Sequence, residues 1–120
     1  MTPPLRQTLQ LLGESGISLP SNSLQELGRV SYRICMAVLA IASEPIQINH
    51  SGGCSIQDDK LLWISCNHQK GISPDCYAIT LHANPNFSEC HYDMSKREQA
   101  VQELIDAATR YFTRESIIDY

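Results

Sequence analysis

The sequence lacks every short motif that would name a reaction. Its 120 residues contain no P-loop, no Cys-x-x-Cys pair, no His-Glu-x-x-His and no Gly-x-Ser-x-Gly. Gly52-Gly53 has no lysine after it, so it reads as a turn and not as a phosphate cradle. A basic surplus is also missing. Nine Lys and Arg stand against 13 Asp and Glu, for a net charge of -4. The largest basic cluster is Lys96-Arg97. A nucleic-acid partner, which needs lysine and arginine to displace phosphate counterions, is therefore not expected.

Long apolar runs are absent as well. Ile34 to Ser43, between Arg33 and Glu44, is the longest apolar run free of charge. A membrane-crossing helix needs about 20 residues, so no membrane span is expected. Met1-Thr-Pro-Pro-Leu-Arg has no basic segment leading into an apolar one. The expectation is a cytoplasmic chain whose five cysteines are thiols.

The remaining composition is that of a folded protein. Hydrophobic residues make up 42% and charged residues 18%, against intrinsic disorder. The length suits a single α+β domain over residues 1–120. Charge is uneven: residues 1–44 carry three basic and three acidic side chains, and residues 45–94 carry two and five.

Two helices are predicted in the first zone. Pro3 and Pro4 suit a helix start, Leu5, Leu9 and Leu12 recur at near-helical spacing, and Gly13 or Gly16 ends the segment. Ser23-x-x-Glu26 has the form of a capping box. Leu27, Val30, Ile34, Val38 and Ile41 follow at three- and four-residue intervals, which predicts a helix to about Ser43. Its last turns are apolar nearly all round. That predicts a helix interface at Ile34, Val38 and Ile41, with a homodimer as the expected assembly.

The middle zone changes period. Ser51-Gly52-Gly53 is a turn signal, Ile56 lies in a short strand, and Leu61 to Cys66 is a strand apolar on both faces. Tyr77, Ile79 and Leu81 alternate along 76–83, and Cys90, Tyr92 and Met94 along 88–94. Asn84-Pro85-Asn86 between them predicts a hairpin in which Leu81 faces Cys90 and Ile79 faces Tyr92. A final helix begins at a second Ser-x-x-Glu, Ser95 to Glu98. Val101, Leu104, Ile105, Ala108, Tyr111 and Phe112 form its apolar stripe. The predicted fold is α+β. It has two N-terminal helices, a largely antiparallel sheet of about four strands, and a C-terminal helix packed on one sheet face.

Four of the cysteines and all four histidines lie between positions 50 and 91. His50 with Cys54, and Cys66 with His68, have the closest ligand spacings, yet neither makes the paired pattern of a zinc site. Cys76 and His82 are separated along one strand by about 20 Å, too far to share an ion. The predicted hairpin puts His82 beside Glu89, and His91 beside Thr80, with Asp93 on the same exposed face. Two imidazoles and a carboxylate there would suit a divalent metal with open positions. Without a catalytic motif, that metal-dependent site is the second reading, and no cofactor is expected.

The first reading is a small acidic protein-binding module, an adaptor, chaperone-like protein or inhibitor. It would use Thr80, His82, Glu89, His91 and Asp93, or the second helix. The scheme of helices around a small antiparallel sheet is similar to that of bacterial secretion chaperones and toxin-immunity proteins. That likeness of size, acidity and layout implies a protein partner.

Overall fold

A computed structural model describes residues 4–120. They fall into two compact units, one reaching to Arg33 and the other running from Ile34 to Tyr120.

The first unit holds helices α1 (Leu5–Glu14) and α2 (Ser21–Gly28). Glycine ends α1, as the sequence predicts. Gly16 takes φ of 70°, its N–H donates to the Gly13 carbonyl, and the Ile17 N–H reaches back to the Leu12 carbonyl. This is the Schellman arrangement, in which a left-handed residue lets the chain satisfy the last helical carbonyls. The Tyr32 hydroxyl accepts from the Leu5 N–H at 2.7 Å and so ties the two ends of the unit together. The capping box at Ser23 does not form. Helix α2 starts two residues earlier, after Pro20, without a side-chain cap.

The second unit carries the sheet. Its strands are β1 (Ala37–Ala42), β2 (Gly53–Ser55), β3 (Leu61–Cys66), β4 (Tyr77–Ala83) and β5 (Ile117–Asp119). All pairings are antiparallel, in the order β2-β3-β4-β1-β5. Helices α3 (Pro85–Cys90) and α4 (Arg97–Ala107) complete the layer on one face. Ala100, Leu104, Ile105 and Ala108 of the α4 region are buried in one core with Val38, Ala40, Ile64, Cys66, Ile79 and Leu81. The predicted C-terminal stripe is thus the layer that covers the sheet, with Val101 and Tyr111 packed at its margin. The α+β class and the antiparallel sheet stand as predicted.

Three elements differ from expectation. The second helix stops at Gly28, and residues 37–42 form β1 instead. An apolar run with Val, Ile and Leu at many positions satisfies helical and strand spacing together. Here Val38, Ala40 and Ala42 alternate inward while Ala37 and Leu39 face out, and a central strand wins. Ile34, Val38 and Ile41 therefore do not make a helix interface. Ile34 precedes the strand, Val38 is buried on the core face, and Ile41 is half-buried on the other. In place of a second hairpin strand, residues 85–90 form α3. Asn84 is its N-cap, with Oδ1 accepting from the Asn86 N–H at 3.0 Å, and Pro85 takes the first helical position. Finally, Ile117–Asp119 form an edge strand, a fifth where about four were expected.

One serine fixes how β1 enters the sheet. Ser88 is wholly buried on α3. Its hydroxyl donates to the Asn84 carbonyl and accepts from the Met36 N–H, each at 3.0 Å. The Met36 carbonyl accepts from the Ala83 N–H at 2.9 Å. The return bond of that rung is not made: the Met36 N–H goes to Ser88, and the Cys35 thiol lies 3.6 Å from the Ala83 carbonyl.

Candidate functional site

The sheet face turned away from α4 is built from cross-strand rows. One row runs Ser55, Trp63, His82, Ala37, and the next Gly53, Ser65, Thr80, Leu39. Ala78 and Ile41 pair in a third. Among the described residues of this unit, both helices lie on the other side. Leu39 is 68% exposed although it sits on an interior strand.

Glycine shapes this face at one point. A Cβ on Gly53 would stand 2.7 Å from Cζ2 of Trp63 and 3.3 Å from Cβ of Ser65. The indole therefore lies across Gly53, and the bare backbone is what admits it. The turn before Gly53 is held by Asn49. Its Oδ1 accepts from the N–H groups of Ser51 (3.0 Å) and Gly53 (3.1 Å), and its Nδ2 donates to the Gly53 carbonyl at 2.6 Å. Thr80 accepts from Asn67 Nδ2 at 3.2 Å through its hydroxyl. Beside Leu39 and Ile41 the face dips into a depression of about 320 Å³, floored by Ala78 and edged by Asn67 and Asp119.

The predicted site residues divide between the two sides of the sheet. Thr80 and His82 are half-buried on the uncovered face. Glu89 is exposed on α3, and Asp93 is exposed in the turn before α4. His91 closes the C-terminal end of α3. Its ring stacks on Phe87 with centroids 4.1 Å apart, and Nδ1 lies 2.9 Å from the Phe87 carbonyl. His82, Glu89 and His91 are not brought together, since the helix at 85–90 removes the register that would align them. The described residues hold no group of three or more His, Cys, Asp or Glu placed to share a metal ion. The five cysteines carry free thiols. Cys66 is buried, whereas Cys35 and Cys90 are exposed.

Charged groups gather on the helical side instead. Lys60 Nζ meets Glu103 Oε2 at 2.8 Å, and His91 Nε2 lies 4.0 Å from the other Glu103 oxygen. The Lys60 hydrogen bond, with a second from Gln99, holds the Glu103 carboxyl below its ordinary range. Asp58 is lowered too, by the Lys60 N–H first and then by the Leu61 N–H and the Arg110 guanidinium. The Ser95 N–H lowers Asp93. These are turn and surface pairs that fix where α4 sits against β3, and they surround no enclosed cavity.

Along the side of β1, sequence reasoning missed a trough. It has about 660 Å³ and is lined by Met36, Ala37, Leu39, Arg97, Val101 and Tyr120 among others. A smaller hollow of about 210 Å³ shares Met36, Ala37 and Arg97 and continues past His91 and Tyr92. The signal that could have found it is the alternation of Ala37, Leu39 and Ile41 against Val38, Ala40 and Ala42. Compared with known proteins, the chain matches no family model and none of the curated proteins. No helix among the described residues is long and apolar enough to cross a membrane.

Proposed function

We propose that the chain is a protein-binding module whose contact surface is the uncovered face of its sheet. One observation carries this reading: Leu39, on an interior strand, is left 68% exposed. Ile41 and Ala78 lie beside it in the next row, and Thr80 and His82, on the strand between, part this apolar group from Trp63. An apolar patch rimmed by polar side chains is the usual make-up of a protein contact surface. The net charge of -4 favours a neutral or basic partner.

Photo-crosslinking in the host cell tests the reading. A photoreactive side chain is placed at Leu39 or Thr80 on the sheet face, and at Asp106 on the outer side of α4. Discrete protein adducts from the two sheet positions and none from Asp106 support it. No adduct from the sheet face, or equal adducts from all three, refutes it. Light scattering identifies one occupant directly, because twice the chain mass in solution would make it a second copy.

A further inference from the structure

The interior strand β1 is paired along only part of one side. The Ala83 N–H donates to the Met36 carbonyl, so Met36, Val38, Ala40 and Ala42 turn their backbone groups towards β4. The odd-numbered residues turn theirs the other way. There β5 takes them up only at the far end, where Asp119 pairs with Ile41 and the Ser43 N–H donates to the Ser116 carbonyl at 2.7 Å. The N–H and C=O of Ala37 and of Leu39 thus face outwards, with no strand among the described residues against them. The trough of about 660 Å³ lies along this stretch, with Val101 and Arg97 of α4 forming one wall.

We propose that an extended segment of a partner protein adds to β1 at Ala37–Leu39, in line with β5, as a further strand of the sheet. This inference rests on reading the chain as a protein-binding module. The geometry states the chemistry of the segment. Two of its residues would exchange backbone hydrogen bonds with Ala37 and Leu39 and place their side chains beside Leu39 on the uncovered face, where apolar groups fit. The residue between them, opposite Val38, would point towards α4 and meet Val101 and the exposed Arg97. Glu98, the other charged group lining the trough, already accepts from the Tyr120 hydroxyl (2.8 Å) and from Gln102 Nε2 (2.8 Å). Arg97 stands beside Glu98 without an ion pair among the described residues, and a carboxylate at the middle position pairs with it.

A second copy in the register centred on Val38 does not fit this edge. In antiparallel pairing of two β1 strands centred on Val38, Cys35 of one copy would lie opposite Ile41 of the other. Asp119 already holds that place. A short strand from another protein meets no such obstacle.

Random heptapeptides displayed on phage and selected on the full chain test the proposal. The expected binders have two apolar residues flanking an acidic one. In a synthetic copy, N-methylation at either flanking residue weakens binding about tenfold, and N-methylation at the acidic residue changes it less than about twofold. Backbone amide signals of Ala37 and Leu39 shift on binding. Leu39→Pro removes one outward N–H, leaves the inner ladder intact and lowers affinity by about tenfold. Arg97→Glu, an exposed change that does not touch the fold, redirects selection to a basic residue at the middle position. Strand addition is overturned if no peptide is selected, if N-methylation has no alternating effect, or if Arg97→Glu leaves the selected sequences unchanged. Crosslinks from Thr80 that persist alongside any of those results would retain the protein-binding reading and discard strand addition alone.

Discussion

Replacing Ser88 with alanine removes a single oxygen, and the structure says what that oxygen holds. It is the acceptor for the Met36 N–H at 3.0 Å, and the residue is wholly buried. The bond to the Asn84 carbonyl is lost as well, yet that carbonyl keeps the Ser88 N–H at 2.9 Å. The loss therefore falls on one backbone donor, stranded at the entrance to β1. Leaving a buried donor unpaired costs about 1–3 kcal/mol. The lost oxygen is too small to open a cavity of consequence, so nearly all of the effect is this one bond. With a urea dependence of about 1–3 kcal/mol per molar for a small domain, the unfolding midpoint should fall by about 1 M. Trp63, the only tryptophan, reports the transition by fluorescence. Amide exchange at Met36 should quicken in the same variant. There is a specific way for this reasoning to fail. The Ala83 carbonyl lies across from Met36 and has the Cys35 thiol beside it. If the Met36 N–H swings to that carbonyl, the rung closes. A midpoint within about 0.2 M of the wild type, with unchanged exchange at Met36, would show that it does.

Gly53→Ala puts a methyl 2.7 Å from the Trp63 ring. The indole must lift, so its emission should move to longer wavelength and stability should fall by about 1–3 kcal/mol; an unchanged spectrum would contradict the packing described. Gly16→Ala forces a β-carbon into the left-handed region at φ of 70°. Circular dichroism should show helix lost at the end of α1 and a cost of about 1 kcal/mol, whereas Gly28→Ala, with nothing near it and no positive φ, should do neither. Asp58 has its folded-state pKa lowered, so its contribution to stability is complete above the ordinary carboxylate range and is lost as pH falls through the folded value. Asp58→Asn should therefore be less stable than wild type at neutral pH, and the gap should close on acidification. Parallel stability curves between pH 7 and pH 3 would refute that role.

Strands β3 and β4 were legible to within a residue because turn residues bound each of them to strand length, and β4 also holds a clean period of two. The stripe of α4 was legible for the same reason at a period of 3.6, with Ala100 joining Leu104, Ile105 and Ala108 inside. Residues 34–43 were not, because a strand apolar on both faces and a buried helix share one composition. The interior placement of β1 is a long-range fact: it depends on β4 and β5 arriving from 35 and more residues away in sequence. At 85–90 two local signals competed. Cys90, Tyr92 and Met94 alternate like a strand, while Asn84-Pro85 and the Phe87–His91 pair, four apart, describe a helix. The helix wins because the cap and the ring stack are satisfied within eight residues, whereas the strand would need a partner. The candidate site followed the same division. Thr80 and His82 were placed on the correct face by parity along β4. Glu89 and His91 were carried to the wrong side by the mistaken hairpin.

The outermost strands, β2 and β5, are three residues each, against six or seven for the three between them. A sheet with so stepped an outline has little to offer a neighbour that would stack against it in long fibres. Each rim supplies only a few rungs before the chain turns away, so growth by edge-on polymerisation stops almost where it starts. The same stepping that leaves room for one short guest strand thus protects a concentrated solution of the protein from assembling into ribbons.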